Sequence, residues 1–200
     1  MDWIEQAADW AGVRLEPAQR RLLEEYRDWL REEAIPAGGL GPHEAARLDQ
    51  RHLADSLLFA GGWQRETPPS TVLDLGSGVG LPGIPLAIIW PESRVTLLDR
   101  AGRRVQLARR AVRILGLDGV AVVQGEAVSR DLRAQMVVAR AVADPTTVLA
   151  WARRLLEPGG LAVVGGSHEE KPDALMGEEI IEIPAEILDH RIWLRIMAAA

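Results

Sequence analysis

Asp74 sits in the apolar run TVLDL (71–75), and Gly76, Gly78, Gly80 and Gly83 follow it within nine residues. A second apolar run, RVTLLD (94–99), ends in Asp99, 21 residues after Gly78. Glycines directly after a strand let a ligand rest against bare backbone, and the helix that follows offers its N-terminus to negative charge. An acid about 20 residues further on is placed to grip ribose hydroxyls. The chemistry implied is the binding of a nucleoside-bearing cofactor, with Asp99 on the sugar and Asp74 organising the turn.

The stretch GVGLPG (78–83) spells the dinucleotide pattern G-x-G-x-x-G. Its frame argues against NAD, because the tight loop begins at Gly76, directly after LDL, so the string at the strand exit is the earlier one. An acid two positions before that first glycine points instead to S-adenosylmethionine, whose amino acid end carries no pyrophosphate. Pro82 suits the first turn of the next helix, where a missing N–H costs nothing.

These residues need elements to hold them. Short β-rich runs at 71–75, 94–99, 120–124, 136–140 and 161–165 alternate with helical patterns at 84–90, 101–115 and 145–156. Repeated βαβ units of this kind predict a mostly parallel sheet. The runs at 178–184 and 190–197 have no helical pattern between them and are expected to close the sheet as an antiparallel pair. Upstream, helices are predicted over 2–11, 17–34 and 43–60, with Leu22, Leu23, Tyr26, Trp29 and Leu30 forming one buried stripe. IPAGGLGP (35–42) breaks the pattern as a loop. The expected organisation is an N-terminal helical segment, 1–66, followed by a Rossmann-like domain, 67–200.

Composition narrows the function. The chain has no cysteine, which removes disulfides, thiolate metal sites and a cysteine nucleophile, and no metal site is expected. No stretch approaches the roughly 20 apolar residues of a membrane span, and the N-terminus lacks a signal-peptide pattern, so a cytoplasmic protein is expected. The net charge of −6 is unevenly spread. Residues 1–50 carry six arginines against eleven acids, whereas residues 99–140 carry nine against four.

RHLADSLL, LDLGSGVGLPGIPLAI, LLDRAGRRVQLAR and ARAVA follow one another in an order that resembles the bacterial ribosomal RNA small subunit methyltransferase G family, also called glucose-inhibited division protein B. The resemblance runs from about residue 20 to the HRIWLRIM tail. It implies a class I Rossmann-like methyltransferase with a mostly parallel seven-stranded sheet, using S-adenosylmethionine to methylate N7 of a guanine in 16S small-subunit rRNA. The implied partner is that rRNA or a 30S particle, met by a monomer with no membrane. Gly76, Ser77, Gly78, Gly80 and Leu81 would line the methionine part, Asp99 and Arg100 the ribose, and Glu126 and Ala127 the adenine. Arg140 matches the arginine of the family's "SRA", near the transferred methyl, and Arg103 stands where a lysine is common; both are carried over as catalytic. The family's Lys-Gly after the fifth strand reads Gly165-Gly166 here, and its R-A-E near the adenine reads Glu126-Ala127-Val128.

Plainer readings stand beside these. The arginines at 103, 109, 110 and 113 fall opposite an apolar helix face, as on any sheet-covering helix. His52 and Asp55, three apart, suit either a cavity wall or a local helix contact. His168 reads as a solvated loop residue. The tryptophans at helical spacing read as packing. Taken without the resemblance, the residues also admit methylation of a small acceptor, or cofactor binding without catalysis.

Overall fold

The computed structural model describes residues 2–126, 132–166, 172–174 and 176–199. Its frame is a seven-stranded sheet built from β1 (Thr71–Leu75), β2 (Arg94–Asp99), β3 (Val120–Gln124), β4 (Ala134–Arg140), β5 (Leu156–Gly166), β6 (Glu178–Ile183) and β7 (Ile192–Ala198). The strand order is β3-β2-β1-β4-β5-β7-β6. The first five strands run parallel, while β7 pairs antiparallel with both β5 and β6. The order reverses between β1 and β4, which puts the crevice of a doubly wound sheet at their carboxyl ends.

Alternation along the strands feeds two cores. Val72, Val95, Leu97, Met136, Val138 and Val163 face one side, and Leu73, Leu75, Leu98, Val137, Ala139 and Val164 face the other. The second side is covered by α6 (Pro145–Leu155), whose Val148, Leu149, Ala152 and Leu155 are buried. The first side receives α4 (Gly83–Ile89) and α5 (Gly102–Ile114) together with the N-terminal helices, all in one continuous cluster. Helix α5 buries Val105, Ala108 and Ala111 and exposes Arg103, Arg104, Arg109, Arg110 and Arg113, the segregation its periodicity predicts.

The N-terminal segment comprises α1 (Trp3–Trp10), α2 (Pro17–Trp29) and α3 (Asp55–Gly61). Asp2 caps α1 by accepting from the amides of Ile4 and Glu5 at 3.1 and 3.2 Å. Arg20 of α2 reaches back to Asp2 and Glu5, and Gln19 donates to the Ile89 carbonyl at 3.1 Å, seating α2 on the end of α4. The pattern read as a single helix over 43–60 is three pieces: a 3-10 turn at Glu44–Arg47, a π-helical segment at Leu48–Ala54, then α3. The wide π turns let Leu48, Leu53 and Ala54 enter the core while Arg51, His52 and Asp55 reach the sheet's carboxyl edge.

Two expectations need correction. A one-turn helix, α7 (Ala185–Leu188), lies between the closing strands, because Pro184 opens the turn and fully buried Leu188 anchors it before Asp189 ends it at φ +59°. The helix after the glycine loop begins at Gly83, with Pro82 at the capping position outside it.

Helix α3 lies tight on β5. A Cβ on Gly62 would come 2.7 Å from Val163 Cγ1, and one on Gly165 would come 2.4 Å from Phe59 Cζ. Phe59 is fully buried at this contact. Phe59→Ala is therefore expected to lower stability by about 3–5 kcal/mol, read as a shift of the urea midpoint at unchanged slope. A loss below about 1 kcal/mol would show that the helical segment does not rest on this ring.

Candidate functional site

The loop after β1 is pinned from beneath by the next strand. The amides of Gly76 and Ser77 both donate to the Leu98 carbonyl, at 2.7 and 3.1 Å, and the Gly78 amide donates to Asp99 Oδ2 at 2.9 Å. Ser77's carbonyl then accepts from Gly80 and Leu81 at 2.7 and 2.9 Å, turning the chain into α4. Asp74 Oδ2 takes the Gly83 amide at 2.7 Å, so the first orphan donors of α4 are met by loop and strand groups. A side chain on Gly83 would strike Leu97 Cδ2 at 2.3 Å, so this glycine serves helix packing. Gly78 differs: at φ +57° a Cβ would meet nothing nearer than Arg104 Cδ at 3.9 Å. Its missing side chain leaves open space on the cavity side of the loop.

Two adjoining cavities open on this edge. The larger, about 670 Å³, lies between the glycine loop, the π-helical segment and the residues after β4. The smaller, about 530 Å³, is bounded by Asp99, Arg100, Gly125, Glu126 and Trp151. Gly76, Arg104 and 141–143 line both. Val142 stands against the loop between them, its methyl 2.6 Å from where a Gly76 Cβ would be.

Most of the residues singled out from sequence converge here. Gly76, Ser77, Gly78, Leu81 and Arg140 line the larger cavity, and Gly76, Asp99, Arg100 and Glu126 the smaller. Gly80 lines neither and turns toward Ile84. Arg103 lies outside both, its guanidinium about 3.6 Å from the Cβ position of Gly38. Ala127 and Val128, like His168, fall outside the described residues. Arg104 occupies the wall instead, 3.2 Å from Asp99 Oδ1. Sequence reasoning gave it no role, although its place five residues after Asp99 put it on the same helical turn as Arg103. Val142, Glu44 and His190 also line the larger cavity, although none of them was given a role from sequence.

The cavity wall holds two charge pairs. Arg140 Nη1 donates to Asp55 Oδ2 at 2.8 Å and to the Arg51 carbonyl at 3.2 Å. Each partner is only 17% exposed, so this pair exceeds the small worth of a surface bridge. His52 Nε2 lies 2.8 Å from Glu44 Oε2, so His52 and Asp55, three apart in sequence, each take a different partner. Burial, then the Arg140 charge, press the His52 pKa below its ordinary value against the pull of Glu44, while hydrogen bonding to His52 lowers that of Glu44. Both directions agree with a neutral imidazole donating from Nε2 to an ionised carboxylate.

Asp74 is the most perturbed acid at the site. Complete burial raises its pKa to about 7 and the Asp99 charge adds to this, against the Gly83 hydrogen bond and the Arg140 charge. Its Oδ1 is buried and has no partner among the described residues.

Comparison with known proteins gives a consistent result. The family model described as rRNA small subunit methyltransferase G matches residues 19–179. A ribosomal RNA small subunit methyltransferase G of Mycobacterium leprae (strain TN) is 40% identical over 193 residues, covering 94% of this chain and 69% of that protein. One from Streptomyces coelicolor is 38% identical over 174 residues, covering 84% of this chain and 69% of its own. Among solved structures, precorrin-6y C5,15-methyltransferase from Geobacter metallireducens superposes with a TM-score of 0.54 at 11% identity, over 72% of this chain and 87% of that one. A SAM dependent methyltransferase from Aquifex aeolicus gives 0.51 at 18%, over 64% and 81%. These last two establish the fold.

The raised pKa of Asp74 has a measurable consequence. Between pH 4 and 7 the folded state keeps a proton that the unfolded chain has lost, so the stability from this group is full below about pH 4 and lost as pH climbs to about 7. Relative to the wild type, Asp74→Asn should gain stability across that window, by up to about 1.4 kcal/mol per pH unit, and level off above it. Urea titrations at stepped pH measure the difference; parallel curves for the two proteins would mean that Asp74 is ionised throughout.

Proposed function

The chain belongs to the rRNA small subunit methyltransferase G family, a family of S-adenosylmethionine-dependent methyltransferases, and from that premise we propose that it methylates N7 of a guanine in small-subunit rRNA. The observation that carries the reading is the family match across 19–179, which spans the glycine loop, Asp99 and Arg140 together.

The residues present fit the cofactor. Gly78 leaves open space where a side chain would stand, the Ser77 hydroxyl is buried with no partner among the described residues, and the Asp99 carboxylate lines the smaller cavity. Gly76, Ser77 and Gly78 would hold the methionine part, Asp99 and Arg100 the ribose, and Gly125 and Glu126 would border the adenine. The bound cofactor supplies a sulfonium methyl group, an electrophile already activated.

The protein's task is then placement. Guanine N7 carries an unprotonated lone pair, so no general base is needed. The larger cavity, with Val142, His52 and Arg140 in its lining, would receive the base. Arg140 is fixed through Nη1 by Asp55 and the Arg51 carbonyl, while its Nε and Nη2 donors have no partner among the described residues. They are available to an RNA phosphate or a cofactor carboxylate. The acceptor guanine would be taken unpaired or flipped from its stack, since a stacked, paired base is hard to reach. Orientation of this kind contributes up to roughly 7–11 kcal/mol at the extreme.

The test is transfer of radiolabelled methyl from S-adenosylmethionine to unmodified small-subunit rRNA, free and in 30S particles. Label is expected in RNA and, after hydrolysis, in 7-methylguanine. Arg140→Ala should lower kcat/KM by about 10- to 100-fold, the worth of a charge-assisted hydrogen bond. Absence of label from both the free rRNA and the 30S particles would refute the proposal.

A further inference from the structure

The glycine loop is held from two directions, and only one belongs to the sheet. Below, Leu98 and Asp99 take the amides of Gly76, Ser77 and Gly78. Above, the fully buried Tyr26 of α2 donates its phenol O–H to the Val79 carbonyl at 3.0 Å, 53 residues away in sequence. The ring that delivers this bond is stacked on Trp29, with centroids 6.0 Å apart and planes 10° from parallel. Val79's side chain is gripped as well: a Cβ on Gly39 would come 2.6 Å from Val79 Cγ1 and 2.9 Å from Leu107 Cδ1. That turn is closed by the Gly39 amide on the Ala34 carbonyl at 2.7 Å, at the end of the π-helical continuation of α2. Residue 79 is thus clasped by backbone and side chain at the point where the loop turns toward the larger cavity. Burial raises the Tyr26 pKa well above its ordinary value, so the phenol keeps the proton it donates.

We infer that Tyr26 is a positioning residue through which the N-terminal helices set the cofactor loop, so that the helical segment forms part of the cofactor site. The inference rests on the reading of that loop as the S-adenosylmethionine site. Its physical basis is preorganisation. A loop fixed at Val79 presents Ser77 and Gly78 in one geometry, whereas a loop freed there must be ordered again on each binding event. Tyr26→Phe removes one hydrogen bond and leaves a buried carbonyl unpaired, while keeping the ring on Trp29.

Calorimetric titration of S-adenosylmethionine into the wild type, Tyr26→Phe and Leu23→Ala separates positioning from mere support. Leu23 lies on the same helix, fully buried, and touches no loop hydrogen bond. Tyr26→Phe should raise Kd about three- to tenfold, with KM for the cofactor rising more than kcat falls. Leu23→Ala should lower Tm at least as much and leave Kd within about twofold of the wild type. Tyr26 is the only tyrosine in the sequence, so biosynthetic 3-fluorotyrosine gives a single fluorine resonance from the unmutated fold. That resonance should shift on cofactor addition. An unchanged Kd in Tyr26→Phe, a fluorine signal that ignores the cofactor, or a Leu23→Ala defect as large as that of Tyr26→Phe would each overturn the inference. Failure of the wild type to bind S-adenosylmethionine would overturn the reading beneath it and the inference with it.

Discussion

The Asp99 carboxylate accepts the Gly78 amide proton across the gap between the first two strands, and its other oxygen accepts from Ala101. This acid, only 2% exposed, fixes the tip of the glycine loop and the entry to α5 with one group. A buried carboxylate is tolerated when charge-assisted hydrogen bonds replace its water, and here two backbone amides and the Arg104 guanidinium do so. The position of Ser77 follows from where that loop stands, and the two cavities meet over Gly76. The Tyr26 bond to Val79 completes the constraint from the opposite side.

Much of this arrangement was legible in the sequence because it depends on local pattern. Short apolar runs bounded by turns marked the five parallel strands, and an acid, glycines and a second acid 21 residues on marked the crevice. What escaped depends on contacts between distant segments. Arg104 rather than its neighbour Arg103 reaches the cavities, since helical phase within α5 decides which side chain turns inward, and α5 begins at Gly102. Val142 lay within the ARAVA stretch but was given no role, because its place on the cavity wall comes from the chain path after β4. The π-helical segment and α7 were missed for a related reason: wide turns and a one-turn helix have little periodicity of their own. Trp151 fitted a packing stripe and does pack against the second core, yet it also borders the smaller cavity.

The departures from the family pattern acquire physical content. At Gly165, where a lysine is usual, a side chain would collide with the Phe59 ring, so the aromatic anchor of α3 and the bare residue at the cavity wall belong together. The charge partition noted in the sequence also becomes spatial. Arg100 and Arg104 border the cavities and Arg103, Arg109 and Arg113 ride the exposed face of α5, while the acids of α1 and α2 are engaged in part with Arg20 and Arg27. A local cationic rim on a chain of net charge −6 suits an RNA that must be oriented as well as attracted.

The role proposed for Asp99, tied to the loop through Gly78, is to hold the sugar of an adenosyl ligand. Calorimetry with S-adenosylmethionine on the wild type and on Asp99→Asn tests it most directly, with circular dichroism to establish that the variant keeps its fold. The wild type should bind and the variant should lose at least about tenfold in affinity, because the amide puts a donor where an acceptor is required. Equal affinity in the two proteins would contradict it.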